Sequence, residues 1–304
     1  MKVSQDNKIK GQRNTENKSE SNNVLKGLRK NQYSVTFLQK FSRHKLAVCG
    51  VFVLGIILTC AIFAPLLAPY DPNEMVGAFG NAPDGSHLFG TDQIGRDILS
   101  RVIYGSRISL LVGFSSMAIG LVIGILLGLV SGYFGGWIDM VIMRVTDIVM
   151  SFPYIMLILV VASIVGPGLL NMIVILGFVN WPGAARLVRG NVLAIKEKDY
   201  IKAAQVQGFR INRILLSEIL PNTLAPILIY ATSGIAWAIL DEAALSFLGF
   251  GVQQPTASLG NMLNGAQSLT VLTSQPWLWL PPGIAIILTV LSINFIGDAL
   301  RDAL

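Results

Sequence analysis

Two adjacent carboxylates, Asp241 and Glu242, are the only acids between Ile219 and Gly297, in otherwise apolar sequence. Intramembrane carboxylates are costly, so they face a cavity, a ligand or a partner. Glu242 is therefore a candidate for binding a substrate ammonium or holding a gate. The competing reading is structural: the Leu-Gly-Phe-Gly run that follows breaks a helix, and the acid can satisfy freed backbone donors. Asn180-Trp181-Pro182-Gly183 sets a proline in another apolar run, where it removes one backbone hydrogen bond and kinks the helix. Asn180 then either re-satisfies a freed group or faces a pore, and a kink near mid-membrane suits a gate as well as a packing bend. Asn294 carries the same ambiguity. A third cluster, Asp92, Arg96, Asp97 and Arg101, lies in a segment (71–107) with five acids and three arginines. Gly90-Thr91-Asp92 and Gly95-Arg96-Asp97 suggest a rigid turn cross-linked by Arg–carboxylate pairs, which either receives a substrate-delivering protein or forms a self-contained cap.

Other chemistry has no foothold in the sequence. There is no G-x-x-x-x-G-K-[ST] loop to cradle a nucleoside triphosphate. His44 and His87 are the only histidines, and neither has a second histidine, a cysteine pair or an H-E-x-x-H context. Cys49 and Cys60 share one apolar run, and the helical rise between them is roughly 16 Å, too far for a disulfide.

The elements that must position these residues follow from composition. The 304 residues are 53% hydrophobic and 13% charged, with a mean hydropathy of +0.61. A soluble domain carries roughly 25% charged residues. The deficit excludes a disordered chain, a nucleic-acid-binding basic domain and an ordinary water-soluble enzyme, and leaves an integral membrane protein. About 20 apolar residues cross the hydrocarbon core, and the uncharged runs divide into six spans, over 46–70, 108–132, 148–165, 169–187, 221–247 and 277–297. The third and fourth share one run, broken at Gly166-Pro167-Gly168. Gln253, Gln254, Asn261, Asn264 and Gln267 make 249–276 a loop. Residues 1–45 hold 11 Lys and Arg, and with Arg144, the loop 186–218 and Arg301 that side totals 20, against 3 on the other. The positive side is cytoplasmic, which places both termini inside. A polar tail of 45 residues precedes the first run, so an uncleaved helix fits better than a signal peptide. The tail reads as disordered to about Asn31. Its basic stretch (Lys26, Arg29, Lys30, Lys40, Arg43, Lys45) reads as a topology anchor, with about 1 kcal/mol per charge available from anionic lipid.

The inside segment 188–220 is the most informative. It is too long for a hairpin and too polar to insert. Tyr200 to Gln207 reads as a short helix, with Ala203-Ala204 giving strong propensity and Gly208 stopping it. A second helical stretch follows from Ile211 to Ile219, and Pro221 lets the next span begin. Two small helices with an Ala-Ala contact surface at the membrane face suit docking into a groove on a partner; the alternative is an idle surface loop.

Ala203-Ala204, Gly208 and Leu220-Pro221 resemble the E-A-A-x3-G-x9-I-x-L-P signature of ABC importer permeases, with the family's spacing from Ala204 to Gly208 to Pro221. Lys202 stands where the glutamate is usual, and Glu218 where the first isoleucine is. Two longer strings narrow the subfamily. Leu88 to Asp97 with Ser100-Arg101 and Tyr104 to Arg107 is similar to G-T-D-x-x-G-R-D-x-x-S-R, and Glu242 to Gly251 is similar to E-A-x-L-S-F-L-G-x-G. Gly297 to Asp302 matches the usual end. From about Phe41 onward the chain resembles the second of the two paired membrane subunits of dipeptide/oligopeptide/nickel importers.

That resemblance implies an all-α, six-helix membrane protein of the type I importer permease fold, with a core over 107–301 and the first helix as a peripheral addition. It implies a coupling helix that sits in a cleft of an ATP-hydrolysing subunit, making Asp199, Tyr200, Ala203, Ala204, Gly208, Leu220 and Pro221 the coupling residues. Asn180, Asp241 and Glu242 become candidates for the translocation path or gate. The implied partners are a second homologous permease, one or two ABC ATPase subunits, an extracytoplasmic substrate-binding protein and membrane lipid, with no nucleic acid. ATP and Mg belong to the partner subunits, and this chain is a non-catalytic subunit that binds no cofactor. The implied location is the plasma membrane of a prokaryote. The implied cargo is a short peptide, with nickel or a metal chelate as the alternative. A different class, an ion-coupled secondary transporter, would place coupling carboxylates mid-membrane and need no docking helix. Asp241-Glu242 favours that class, and the 199–221 segment opposes it.

Overall fold

In hydrocarbon a backbone can satisfy itself only within helices or closed barrels. Helices dominate this structure, a computed structural model that describes residue 41 and residues 44–303. The basic stretch expected over Lys26, Arg29, Lys30, Lys40 and Arg43 lies outside the described residues. The one extended pairing among the described residues is a bridge between Thr91 and Asp97.

Helix α1 (Lys45–Ile62) is shorter than the expected 46–70 and is followed by a single turn, α2 (Ala64–Leu67). Pro65 explains the break, because its ring cannot follow the preceding helical carbonyls. Helix α3 (Ile98–Phe134) begins ten residues before the expected 108. Asp97 caps it, its carboxylate accepting from the Ser100 amide at 2.8 Å. The first turns look like loop because Ser100, Arg101 and Ser106 are polar, yet all three are buried. The expected third span, 148–165, is two helices, α4 (Gly136–Ser151) and α5 (Tyr154–Val165), bent by 89°. Pro153 holds Phe152 extended and ends α4 there.

Helix α6 (Leu169–Lys196) runs nine residues past the expected 187, since Val188, Val192 and Ile195 continue its buried face. The inside segment therefore begins at Glu197. It contains α7 (Asp199–Val206) and α8 (Ile211–Arg213). From α8 the chain passes through a π-helical turn (Ile214–Ile219) directly into α9 (Leu220–Phe247). A fresh start at Pro221 was the expectation; the wider turn instead accommodates the proline ring, which an α-turn would press onto a carbonyl. The polar segment expected as a loop over 249–276 holds α10 (Leu259–Leu263), α11 (Leu269–Ser274) and 3-10 turns, and α12 (Leu280–Ala303) closes the chain. Among the described residues five helices are long and apolar enough to span a bilayer, six when α4 and α5 count as one broken span.

The most extensive packing joins α3 to α6. Gly120, Gly124, Gly128 and Gly132 line one face of α3 at every fourth position, as small-residue membrane seams do. A Cβ at Gly128 would sit 2.7 Å from the Ala185 carbonyl oxygen and from Val188 Cβ, and one at Gly132 would sit 2.7 Å from Val192 Cβ. The two helices are thus in close contact over a little more than three turns, from Gly120 to Gly132. Helix α1 lies outside this core, with Gly50 against Ser292 and Phe295 of α12 and with Leu46, Phe52, Ile56 and Ile62 exposed.

Candidate functional site

A cleft of about 380 Å³ opens between α3, α5, α6 and α9, lined by Met117, Tyr154, Asn180, Tyr230, Ser233, Trp237 and Asp241 among others. The bend at Pro153 starts α5 here, so Tyr154 stands at the mouth of α5 and reaches across to α9. Its hydroxyl donates to Asp241 Oδ2 at 2.6 Å and lies 3.3 Å from Asn180 Oδ1. Asn180 Nδ2 donates to the Leu176 carbonyl at 2.9 Å. Pro182 deprives a different carbonyl, that of Phe178, of its usual helical donor, so Asn180 does not repair the gap the proline leaves. Helix α6 continues through Pro182. Asn180 and Asp241, expected on a pathway, are brought together here. A second cleft of about 210 Å³ continues past Tyr154, Asn180 and Tyr230 toward Pro182 and Gly183. Tyr154 and Tyr230 were not singled out from the sequence. The signal available was Tyr154's position immediately after Pro153, where an apolar run has to turn.

Glu242, the other expected pathway residue, is elsewhere. It is fully buried, one helical step from Asp241 and pointing the other way. Ser109 Oγ of α3 donates to its Oε2 at 2.6 Å, and Ser246 Oγ donates to its Oε1 at 2.7 Å. Each hydroxyl oxygen in turn accepts a backbone amide, Leu259 N onto Ser109 and Val252 N onto Ser246. Glu242 thereby ties down the segment that folds back after α9, through two serine hydroxyls rather than by accepting freed backbone amides itself. Ser109 and Ser246 had gone unnoticed because serine in an apolar run is ordinarily satisfied by its own helix.

The segment between α6 and α9 presents a second site. Ile201 and Ala204 of α7 are buried against Val188, Val192, Ile214 and Ile219, so the chain's own bundle holds the helix. The Ala-Ala pair is therefore divided: Ala204 faces inward, while Ala203 joins Asp199, Tyr200 and Val206 on the exposed face. Val206 is 89% exposed, an unusual state for an aliphatic side chain at the end of a helix. Gly208 has φ +73° with open space around it, so its backbone conformation, rather than crowding, selects glycine. Leu220 is half-buried and Pro221 exposed. Arg213 stacks over the Phe209 ring at 4.2 Å and braces the turn after Gly208.

Asp92, Arg96, Asp97 and Arg101 sit at a turn cross-linked by ion pairs. Arg96 Nε donates to Asp92 Oδ2 at 2.7 Å, and Asp92 Oδ1 accepts from the Ile94 and Arg96 amides. Arg101 donates to the Pro72 carbonyl at 2.9 Å, with Asp92 at 3.6 Å, and Arg96 reaches Gln254 at 3.2 Å. Asp97 combines its capping role with a 3.0 Å contact to His87 Nδ1. These ties lash residues 72–97 to the loop after α9. Nearby, Asp84 accepts from the His87 and Ser86 amides, which hold its carboxyl below the usual carboxylate range. Among the described residues no cluster of three or more His, Cys, Asp and Glu could hold a metal.

A helical membrane bundle, a largely apolar cleft inside it that carries Asn180 and Asp241, and a short helix held at one end of it suit the translocation subunit of a membrane transporter. Comparison with known proteins gives the family. Residues 120–304 match the family described as "Binding-protein-dependent transport system inner membrane component", and residues 32–83 match the "N-terminal TM domain of oligopeptide transport permease C". The dipeptide transport system permease protein DppC of Alkalihalophilus pseudofirmus is 44% identical over 88% of this chain and 87% of its own. The di/tripeptide permease DppC of Pseudomonas aeruginosa is 42% identical (88% and 90%), and the glutathione permease GsiD of Escherichia coli is 42% identical (88% and 88%). An inward-facing structure of the MetNI methionine ABC transporter superposes with a TM-score of 0.56 at 23% identity, over 68% of this chain and 98% of that one. The chain belongs to the family of binding-protein-dependent ABC importer permeases, in its dipeptide/oligopeptide group. It is a multi-pass membrane subunit that works with other transport subunits, and it is not itself the ATPase.

Proposed function

We propose that this chain forms half of the pathway that imports short peptides across a prokaryotic plasma membrane. A second, homologous permease completes the pathway, two ABC ATPase domains energise it with ATP and Mg, and an external binding protein supplies cargo. Peptide as cargo rests on the relatives, whose names specify dipeptides, di/tripeptides and glutathione. The observation that carries coupling is the geometry of α7, clamped to α6 and to the π-helical turn through Ile201 and Ala204 while Asp199, Tyr200, Ala203 and Val206 stay open. On this reading both termini and α7 are cytoplasmic and the Asp92–Arg96 turn is external. ATP binding draws the ATPases together, α7 moves with them, and the bundle shifts between states that differ in their contacts. Asn180 and Asp241 line the path, and Glu242 holds the fold beside it.

Uptake of labelled dialanine, against nickel as the alternative cargo, in cells with and without this chain tests the cargo. The expected outcome is ATP-dependent peptide uptake that survives collapse of the proton gradient. Nickel uptake alone overturns the cargo, and gradient-dependent uptake overturns the ATP-driven reading in favour of an ion-coupled carrier. Co-purification tests the coupling: Gly208→Trp and Val206→Asp are expected to lose the ATPase while the permease pair remains. Retention of the ATPase by both variants removes α7 from the interface.

A further inference from the structure

We infer that Asp241, at the floor of the cleft between α5, α6 and α9, is a receptor for a primary ammonium group on the passing peptide. This rests on the peptide-import reading above.

The inference starts from an incomplete charge. Among the described residues no Lys, Arg or His forms an ion pair with Asp241. Tyr154 occupies Oδ2 at 2.6 Å, whereas Oδ1 accepts no hydrogen bond from any described residue. Oδ1 is also absent from the buried polar atoms that lack a partner, which leaves it open to the cleft. A carboxylate in an apolar bundle needs a counter-charge, yet among the described residues no Lys, Arg or His lines the cleft, and the basic side chains of α6 are engaged elsewhere: Arg186 with Asp147, Arg189 with Asp139, Lys196 with the Gly132 and Tyr133 carbonyls. Glu242 offers a contrast one residue on, since both its oxygens are filled by serine hydroxyls.

The surroundings suit an ammonium rather than a bare metal ion. A divalent cation needs several oxygen ligands around it, and Asp241 is the only carboxylate lining the cleft. An ammonium needs one charged acceptor, neutral acceptors for its remaining protons and, favourably, an aromatic face. Asn180 Oδ1 and the Ser233 hydroxyl supply the neutral oxygens, and the Trp237 and Tyr230 rings supply the aromatic walls. Tyr154 fixes the carboxylate's orientation and leaves its second oxygen free. The same chemistry comes from two sources, a peptide's α-amino terminus or a lysine side chain.

The test uses the full transporter, purified with its partner subunits but without the external binding protein, so that recognition upstream does not enter. Ser233→Cys, in a Cys49→Ser/Cys60→Ser background, reports occupancy through its labelling rate with a neutral maleimide. Dialanine, N-acetyl-dialanine and N-acetyl-alanyl-lysine are the probes. Dialanine is expected to protect Ser233→Cys at a concentration at least about tenfold below that of N-acetyl-dialanine, the ratio one charge-assisted hydrogen bond supplies. Protection by N-acetyl-alanyl-lysine adds the side chain as a source. Asp241→Asn is expected to abolish the preference, and Asp241→Glu to restore part of it. Equal protection by dialanine and N-acetyl-dialanine, or no protection by any probe, overturns the ammonium site, and this comparison needs no variant at Asp241. Persistence of the preference in Asp241→Asn overturns it as well. Dialanine uptake by the same transporter with its binding protein is measured in parallel. Its loss counts against peptide import itself, whereas normal uptake with no discrimination in the cleft sinks the ammonium site alone.

Discussion

Replacing Glu242 separates an anchoring role from a transport role. Glu242→Ala removes the acceptor of two buried hydroxyls, Ser109 at 2.6 Å and Ser246 at 2.7 Å. Each donor orphaned in the interior costs about 1–3 kcal/mol, and the vacated volume adds a cavity that neighbours fill only in part. The two donors alone amount to about 2–6 kcal/mol and the cavity adds to that, on the scale of a whole domain's stability. Glu242→Gln keeps one acceptor oxygen but points an amide donor at the other serine, whose oxygen already receives the Leu259 or Val252 amide. One hydroxyl is left without an acceptor, at about 1–3 kcal/mol. Heating detergent-solubilised protein and measuring the monodisperse fraction should rank wild type above Gln and Gln above Ala. Transport per folded molecule should change little in Gln. An Ala variant as heat-resistant as wild type yet unable to transport would refute the anchoring argument and return Glu242 to the pathway.

Three further outcomes follow from the packing and the charges. Gly128→Ala should destabilise by about 1–3 kcal/mol through overlap with Ala185 and Val188, whereas Gly55→Ala, with nothing within 4 Å of the new methyl, should be neutral or gain up to about 1 kcal/mol; the same heating assay compares them. Arg189 holds Asp139 through Nε at 2.5 Å and Nη2 at 2.6 Å, so Arg189→Lys should lose about 1–2 kcal/mol with the second bond, and proteolysis near α4 should reveal the loosened tether. The lowered carboxyl of Asp84 stabilises the outer turn above its ordinary value of 3.8 and loses that contribution as pH falls through the still lower folded value. Opening of the Ser86–His87 turn, read by proteolysis at graded pH, should therefore rise only in acid, and Asp84→Asn should flatten that dependence.

The long apolar runs made the helical class legible and brought the expected six spans close to the five, or six with the bent pair α4–α5 taken as one, among the described residues, because the bilayer imposes both length and hydrogen bonding. Helix ends were legible only where a proline or glycine punctuates. The start of α3 was hidden because Ser100 and Arg101 look like loop residues, and their partners, Asp97, Pro72 and Pro255, come from elsewhere in the chain. The split of α4 from α5 was signalled by Pro153, but the charges of Asp139 and Asp147 disguised α4 as a loop, since they are matched by Arg189 and Arg186 on α6. At the cleft, sequence located Asn180 and Asp241 by their polarity. It could not show that Tyr154 joins them, nor that Glu242 turns away, because a rotation of one residue about α9 decides which carboxylate meets open space.

The glycine seam also determines where this bundle can bend. Helix α6 is 28 residues long, about 42 Å at 1.5 Å per residue, and from Gly177 to Val192 it is pinned to α3, whose glycines rest on its carbonyls and on the short side chains of Ala184, Val188 and Val192. The two helices must swing as one beam. Only Glu197 and Lys198 separate that beam from α7, so a push on the surface helix enters it at the end, with the longest available leverage on Asn180. On the opposite wall α9 reaches α7 through the π-helical turn at Ile214–Ile219, a spring rather than a rod. On the coupling proposed above, this asymmetry between the two arms turns a single displacement of α7 into a change of width beside Asp241.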